Sequence, residues 1–241
     1  MGPDLSLALA LADEADAISL RRFRASDLLV ETKPDLTPVT EADRAVETAI
    51  REALARERPE EGVLGEEHGA SGGTGRRWIV DPIDGTRNYA RGIPVWATLI
   101  ALEEDHELRL GVVSAPALGR RWWAERGRGA FVNGEPIRVS HVGRVEDAVL
   151  CFALEQPLPP LAHRCWHPRA YGDFWAHMLV AEGAVDGAVD ATGVAIWDLA
   201  AIRPIVEEAG GTFTDRDGVA RIDGGSAVTS NGLLHPALLG G

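Results

Sequence analysis

The stretch "WIVDPIDGTRNY", residues 78 to 89, decides how the chain is read. Trp78, Ile79 and Val80 are strand formers that run straight into two aspartates, Asp81 and Asp84, with Pro82 between them and Gly85 and Thr86 behind. Pro82 hinges the pair, so both carboxylates and the Ile83 carbonyl can face one point. That is an all-oxygen donor set for a hard divalent cation, most simply Mg2+, and the lack of His and Cys in it disfavours zinc. If a short helix starts at Gly85 and Thr86, its free N–H groups would bind phosphate. The plain alternative is a surface turn, since Asp, Pro and Gly are the commonest turn residues.

Around this stretch the texture is that of an antiparallel meander. "RRWIVDP", "VWATLIALEE", "LRLGVVSAP", "RRWWAERG" and "GAFVN" are short, rich in β-branched and aromatic residues and separated by Gly, Asp or Asn, with Asn133-Gly134 as a hairpin turn signal. Upstream, residues 5 to 24 and 40 to 57 carry apolar side chains at helical spacing, and Thr40 with Asp43 suits a capping box. Downstream of about residue 140 the pattern alternates: strand "AVLCFAL", a helix from Asp173 through Glu182, strand "GAVDGAVD", a helix from Asp198 to Ala209, then strands at "GTFTD" and "SAVTSN". Pro204 should bend the second of those helices, and Gly210 and Gly211 should end it. This predicts an N-terminal α+β half, 1–139, holding most of the candidate metal ligands, and a C-terminal α/β half, 140–241, holding Asp198 and the specificity elements. "SGGTG" and "QPLPPL" read as flexible loops.

Three more acidic patches lie at element boundaries, where ligands converge: "VTEAD", "GEEHG" and "IWDLAA". Each has an ordinary structural reading. Asp198 could simply favour a helix start, and Glu66 and Glu67 could be a solvated loop.

Composition bounds the function. With 241 residues, 45% of them hydrophobic, the chain can bury a large core as one domain or two. A formal net charge of −13 argues against nucleic acid as a partner. Cys151 and Cys165 cannot make a disulfide framework, which fits a reducing cytoplasm. Asp13, Glu14 and Asp16 interrupt the apolar N-terminal run, so it reads as an amphipathic helix and not as a secretory signal or membrane span.

Taken together, "VTEAD", "LGEEHG", "WIVDPIDGTRNY" and "WDLAAIRPIVEEAGG" resemble the inositol monophosphatase family of magnesium-dependent phosphatases, from about residue 5 to the C-terminus. The resemblance implies an α+β fold, a layered α/β/α/β/α sandwich of the inositol monophosphatase and fructose-1,6-bisphosphatase type, usually a homodimer. It implies that Glu66, Asp81, the Ile83 carbonyl, Asp84 and Asp198 hold two or three Mg2+ ions. Gly85 and Thr86 would bind the phosphate of a small substrate, Glu66 and Thr86 would orient the attacking water, and Asp43 would support Thr86.

Within the family, "GIPVWATLIAL", "VVSAPALGRRWWAERGRGAF", "RAYGDFWAHMLVAEGAVD" and "GGSAVTSNGLLH" look like the histidinol-phosphatase branch. Inositol phosphatases carry an acidic residue seven positions before the WD aspartate; here Ala191 stands there, with Asp190 beside it. A substrate bearing an ammonium and an imidazole needs anionic contacts, for which Asp173 and Asp190 are candidates. Asp173 is equally suited to cap the following helix. Arg169 either meets substrate or pairs with a carboxylate. A broader phosphatase, acting on inositol phosphates, fructose bisphosphate or a nucleotide 3′-phosphate, is the nearest alternative, and a partner-binding scaffold is one of another class. "HRCWH" is a poor zinc pattern, Trp122 and Trp123 suit core or dimer packing, "SGGTGRR" lacks a P-loop ending, and His68 is expected beside the ligands or exposed.

Overall fold

The computed structural model describes residues 2–34, 36–73, 75–153 and 158–240. Helices α1 (Pro3–Arg22) and α2 (Glu41–Glu57) flank a small antiparallel hairpin, β1 (Val30–Thr32) and β2 (Pro38–Thr40). Leu5, Ala8, Leu11, Ala12 and Ala15 form the buried stripe of α1, and Val46, Ile50, Ala53 and Leu54 that of α2. The expected capping box is present: Thr40 Oγ1 accepts the Asp43 N–H, and the Asp43 carboxylate accepts the Thr40 N–H.

There follow β3 (Gly62–Gly65), β4 (Gly69–Ser71), β5 (Arg76–Asp84), the short helix α3 (Thr86–Ala90), and the meander β6 (Ala97–Glu104), β7 (Glu107–Ala115), β8 (Arg120–Glu125), β9 (Ala130–Val132) and β10 (Glu135–Ile137). They form one eight-stranded sheet, ordered β10-β9-β8-β7-β6-β5-β3-β4, antiparallel except where β5 lies parallel to β3. Val132 pairs with Glu135, so Asn133-Gly134 is the two-residue hairpin expected.

The second half contains β11 (Val149–Phe152), β12 (His167–Arg169), α4 (Asp173–Ala181), β13 (Gly187–Asp190), α5 (Ile196–Ala200), α6 (Ile202–Glu208), β14 (Thr212–Thr214), β15 (Ala227–Ser230) and α7 (His235–Leu239). Its strands make a five-stranded sheet ordered β12-β11-β13-β15-β14.

Alternation along the strands builds the layers. Trp78 and Val80 of β5 pack with α1 and α2, whereas Ile79 faces the other way, into a core shared with α4, α5, α6 and one face of the second sheet. Leu150, Phe152, Val189 and Val228 cover that sheet's far face together with Leu238 of α7. The layers therefore run α/β/α/β/α, an α+β fold as expected. Among the described residues no helix is long and apolar enough to cross a membrane.

Two expectations need correction. The strand expected over 183–190 begins only at Gly187, because the Ala184 and Val185 N–H groups bond back to the Leu179 carbonyl and finish the end of α4. The single helix expected from Asp198 to Ala209 is two helices that break at Ala201, and the first begins at Ile196, before Asp198. Pro204 has no N–H for the Ala200 carbonyl, which explains the break. Gly210 and Gly211 do end α6: their N–H groups bond to the Glu207 and Val206 carbonyls at 3.0 and 2.9 Å. Of "AVLCFAL", residues 149–152 are strand, while Leu154, part of "QPLPPL" and Thr74 lie outside the described residues.

Candidate active site

Residues three apart on an unbroken strand face opposite sides of the sheet. Asp81 and Asp84 escape this because β5 carries a bulge: Asp81 pairs with Leu99 and Asp84 with Ala97, three steps against two. Pro82 fits the irregularity, having no ladder N–H to lose, and its carbonyl accepts the Thr98 hydroxyl at 2.8 Å. Both carboxylates thus point to one side. Gly85 then turns the chain into α3 with φ of 81°, left-handed backbone that a side chain would strain.

Across the gap, α5 supplies Asp198. One oxygen from each of Asp81, Asp84 and Asp198 lies within 4.8 Å of the others. Asp198 accepts the Ala195 N–H at 2.6 Å, and Asp84 accepts the Phe174 N–H at 2.6 Å, which ties the first sheet to α4. Asp81 is 2% exposed, and its Oδ1 is buried with no hydrogen-bond partner. Burial, and then the Glu66, Asp84 and Asp198 charges, push the Asp81 carboxyl well above the carboxylate range. Asp84 is raised by burial and by Asp173 and Asp198. Burial is also the main cause that lifts Asp198 to about 6. An oxygen-only cluster with a buried, unpaired lone-pair donor fits a hard divalent cation, which would relieve the repulsion and fill the missing contact.

Glu66 sits in the turn between β3 and β4 and lines the same cavity, facing Asp81. Its Oε1 accepts Lys33 Nζ at 2.7 Å, and Lys33 also reaches Glu67 Oε1 at 2.5 Å. The fully buried Glu47 of α2 holds that turn by accepting the Glu67 and His68 N–H groups at 2.7 and 3.2 Å. Asp43 uses Oδ2 for the cap of α2 and Oδ1 to accept the Thr86 hydroxyl at 3.1 Å, so helix cap and candidate catalytic threonine share one carboxylate. Thr86 Oγ1 is also 2.9 Å from the Ile83 carbonyl, and its single proton serves one acceptor at a time. Burial raises Asp43 to about 6.

The aspartate trio, Glu66, Ile83 and Thr86 open on a cavity of about 1060 Å³ that is also lined by Gly85, Asp173, His177 and Asp190. Asp173 is not the helix cap by side chain: the cap position of α4 is Gly172, and Asp173, with φ of 53°, instead lies 3.4 Å from Asn88 Nδ2. Left-handed backbone is tolerated by Asp better than by most residues. Arg169, the other candidate for a substrate contact, immediately precedes Ala170 and Tyr171 of the cavity lining. It stands in edge strand β12, outside the cavity lining, and among the described residues it makes no ion pair. His68 is exposed, 3.2 Å from Thr48 Oγ1, and Trp122 is buried in the core with its indole N–H on Glu182. The only group of His, Cys or acidic residues set for a metal among the described residues is the aspartate trio.

Sequence reading missed Lys33, Glu47 and His177. Lys33 stands alone before a proline, and its partners are 33 and 34 residues away. Glu47 betrays itself only by its place among the apolar positions of α2. His177 is set in the apolar run of α4.

The sequence model of the inositol monophosphatase family matches residues 3–239. The chain is 56% identical to the histidinol-phosphatase of Mycobacterium tuberculosis, with 98% of this chain and 96% of the relative covered, and 50% identical to that of Streptomyces coelicolor over the same shares. Among solved structures, the extragenic suppressor protein suhB of Bartonella henselae superposes with a TM-score of 0.92 at 32% identity, covering 99% of this chain and 97% of that one. The Thermotoga maritima IMPase gives 0.91 at 32%, covering 99% and 96%.

Proposed function

Because this chain belongs to the inositol monophosphatase family, we propose that it is a Mg2+-dependent histidinol-phosphate phosphatase acting in histidine biosynthesis. The observation that carries the chemistry is the carboxylate trio, one of whose members, Asp81, has a buried oxygen with no partner. The identity to relatives named histidinol-phosphatase supports the choice of substrate.

Asp81, Asp84, Asp198, Glu66 and the Ile83 carbonyl would hold two or three Mg2+ ions, which supply positive charge for the attacking water and for the departing alkoxide. The remaining work falls to the chain. Thr86 donates its hydroxyl hydrogen bond to Asp43, which leaves an oxygen lone pair to accept from a water that Glu66 would orient from the other side. The backbone at Gly85 and Thr86 docks the phosphate, and the bulge fixes Asp84 beside it. Asp173 and Asp190 offer negative charge to the nitrogen-bearing half of the substrate. Residues 1–139 would then carry most of the metal site and 140–241 the selectivity. A cytoplasmic homodimer completes the reading, and the free Cys151 and Cys165 support a reducing compartment.

Phosphate release measured on a panel of histidinol phosphate, inositol 1-phosphate, fructose 1,6-bisphosphate and a 3′-nucleotide tests it. Histidinol phosphate should lead in kcat/KM by about tenfold or more. A lead for inositol 1-phosphate would instead favour the inositol phosphatase reading, to which the neighbouring IMPase structures lend support. Asp84→Asn should keep its circular dichroism spectrum and lose turnover at saturating Mg2+; retained activity would refute the metal-site chemistry.

A further inference from the structure

Helix α4 buries Phe174, Ala176, Met178, Val180 and Ala181, and one polar ring interrupts this run. His177 is 1% exposed. An imidazole so placed is costly unless both nitrogens find partners. Both do. Nδ1 is 2.8 Å from Thr229 Oγ1 on β15, and Nε2 is 2.8 Å from Asp190 Oδ2 at the end of β13. A carboxylate only accepts here, so Nε2 carries a proton and the Thr229 hydroxyl closes the other side of the ring.

The pair is not sealed in the core. His177 and Asp190 both line the large cavity, on the wall that also carries Asp173. Asp190 is 7% exposed and commits Oδ2 to His177, while Oδ1 has no hydrogen-bond partner among the described residues. A buried His–Asp pair that served packing alone would gain little over two apolar side chains of the same volume. One that aims a carboxylate oxygen into a ligand cavity has a use.

We infer that His177 is a positioning residue for substrate selection: it fixes Asp190 so that the free oxygen meets the nitrogen-bearing end of a cationic phosphate ester docked at the aspartate trio. This rests on the proposed reading that the substrate is such an ester. Thr229, itself fully buried, holds the ring and makes a three-member chain from β15 through α4 to β13.

The test compares wild type, Asp190→Asn, His177→Ala and His177→Gln for phosphate release from histidinol phosphate and from glycerol 2-phosphate, whose alcohol is uncharged. Thermal unfolding is followed in parallel. Asp190→Asn should raise KM for histidinol phosphate roughly tenfold or more, change kcat less, and lower the ratio of kcat/KM between the two esters by a similar factor. His177→Ala should move that ratio the same way, and His177→Gln, whose amide N–H can replace Nε2–H, should recover most of it. If wild type does not prefer the cationic ester, the reading of function fails. If wild type prefers it and Asp190→Asn keeps the ratio, or the losses fall equally on both esters, the inference fails. Should His177→Ala not fold, His177→Gln against Asp190→Asn decides.

Discussion

A single oxygen, Asp81 Oδ1, shows the difference between a structural carboxylate and one made to hold a cation. Buried Glu47 ends in partners, two backbone N–H groups and Arg51, and Asp16, whose Oδ1 is likewise unpaired, has Arg121 on its other oxygen to balance its charge. Asp81 Oδ1 ends in none and is surrounded by like charge. Asp81→Asn should therefore abolish Mg2+ binding in calorimetry while the fold survives, because the amide relieves repulsion. In wild type, protons and metal compete for the same oxygens. With Asp198 raised to about 6, apparent Mg2+ affinity should fall as pH is lowered through that value, with protons released on binding, and calorimetry in buffers of different ionisation enthalpy would read this directly.

At the level of elements, the site depends on how closely α2 approaches the β3–β4 turn. A Cβ on Gly65 would lie 2.1 Å from Glu47 Oε1 and 2.4 Å from its carboxyl carbon. Gly65→Ala should push Glu47 off the turn, costing about 1–3 kcal/mol of stability and displacing Glu66, so that kcat falls more than KM changes. Denaturant unfolding and steady-state kinetics check the two halves of that expectation. What the sequence revealed follows the same division between local and distant. The meander, the first two helices and the "DPIDGT" turn were legible because strand propensity, helical spacing and turn chemistry act within a few residues. The break at Ala201 was read only as a bend at Pro204, since the extent of a helix interruption is settled by packing between two sheets. Lys33 and His177 were silent because their roles lie in partners, Glu66, Asp190 and Thr229, that only the tertiary fold brings near.

For the whole molecule, the aspartate cluster sets a pH dependence that runs against common habit. Asp43 and Asp198 are raised to about 6 from an ordinary 3.8, so the folded state holds their protons more tightly than the unfolded state does. Their contribution is fully present below about pH 4 and is lost as pH rises through about 6. Metal-free protein should thus melt progressively lower from about pH 4 to pH 7, by about 2–4 °C for each kcal/mol of stability lost. Saturating Mg2+ should remove that slope, and Asp198→Asn should flatten it without metal. Scanning calorimetry across pH, with chelator and with Mg2+, would contradict this picture if the chelated protein gained stability between about pH 4 and pH 7.

The irregularity between Asp81 and Asp84 makes the site a matter of counting. Remove Ile83, and the ribbon regains its even beat: the second aspartate would come to lie two steps along from the first, on the same face but without the extra residue whose carbonyl joins the ligands. Side chains in this segment can be exchanged one at a time with graded effects, whereas a change of length alters which groups converge all at once.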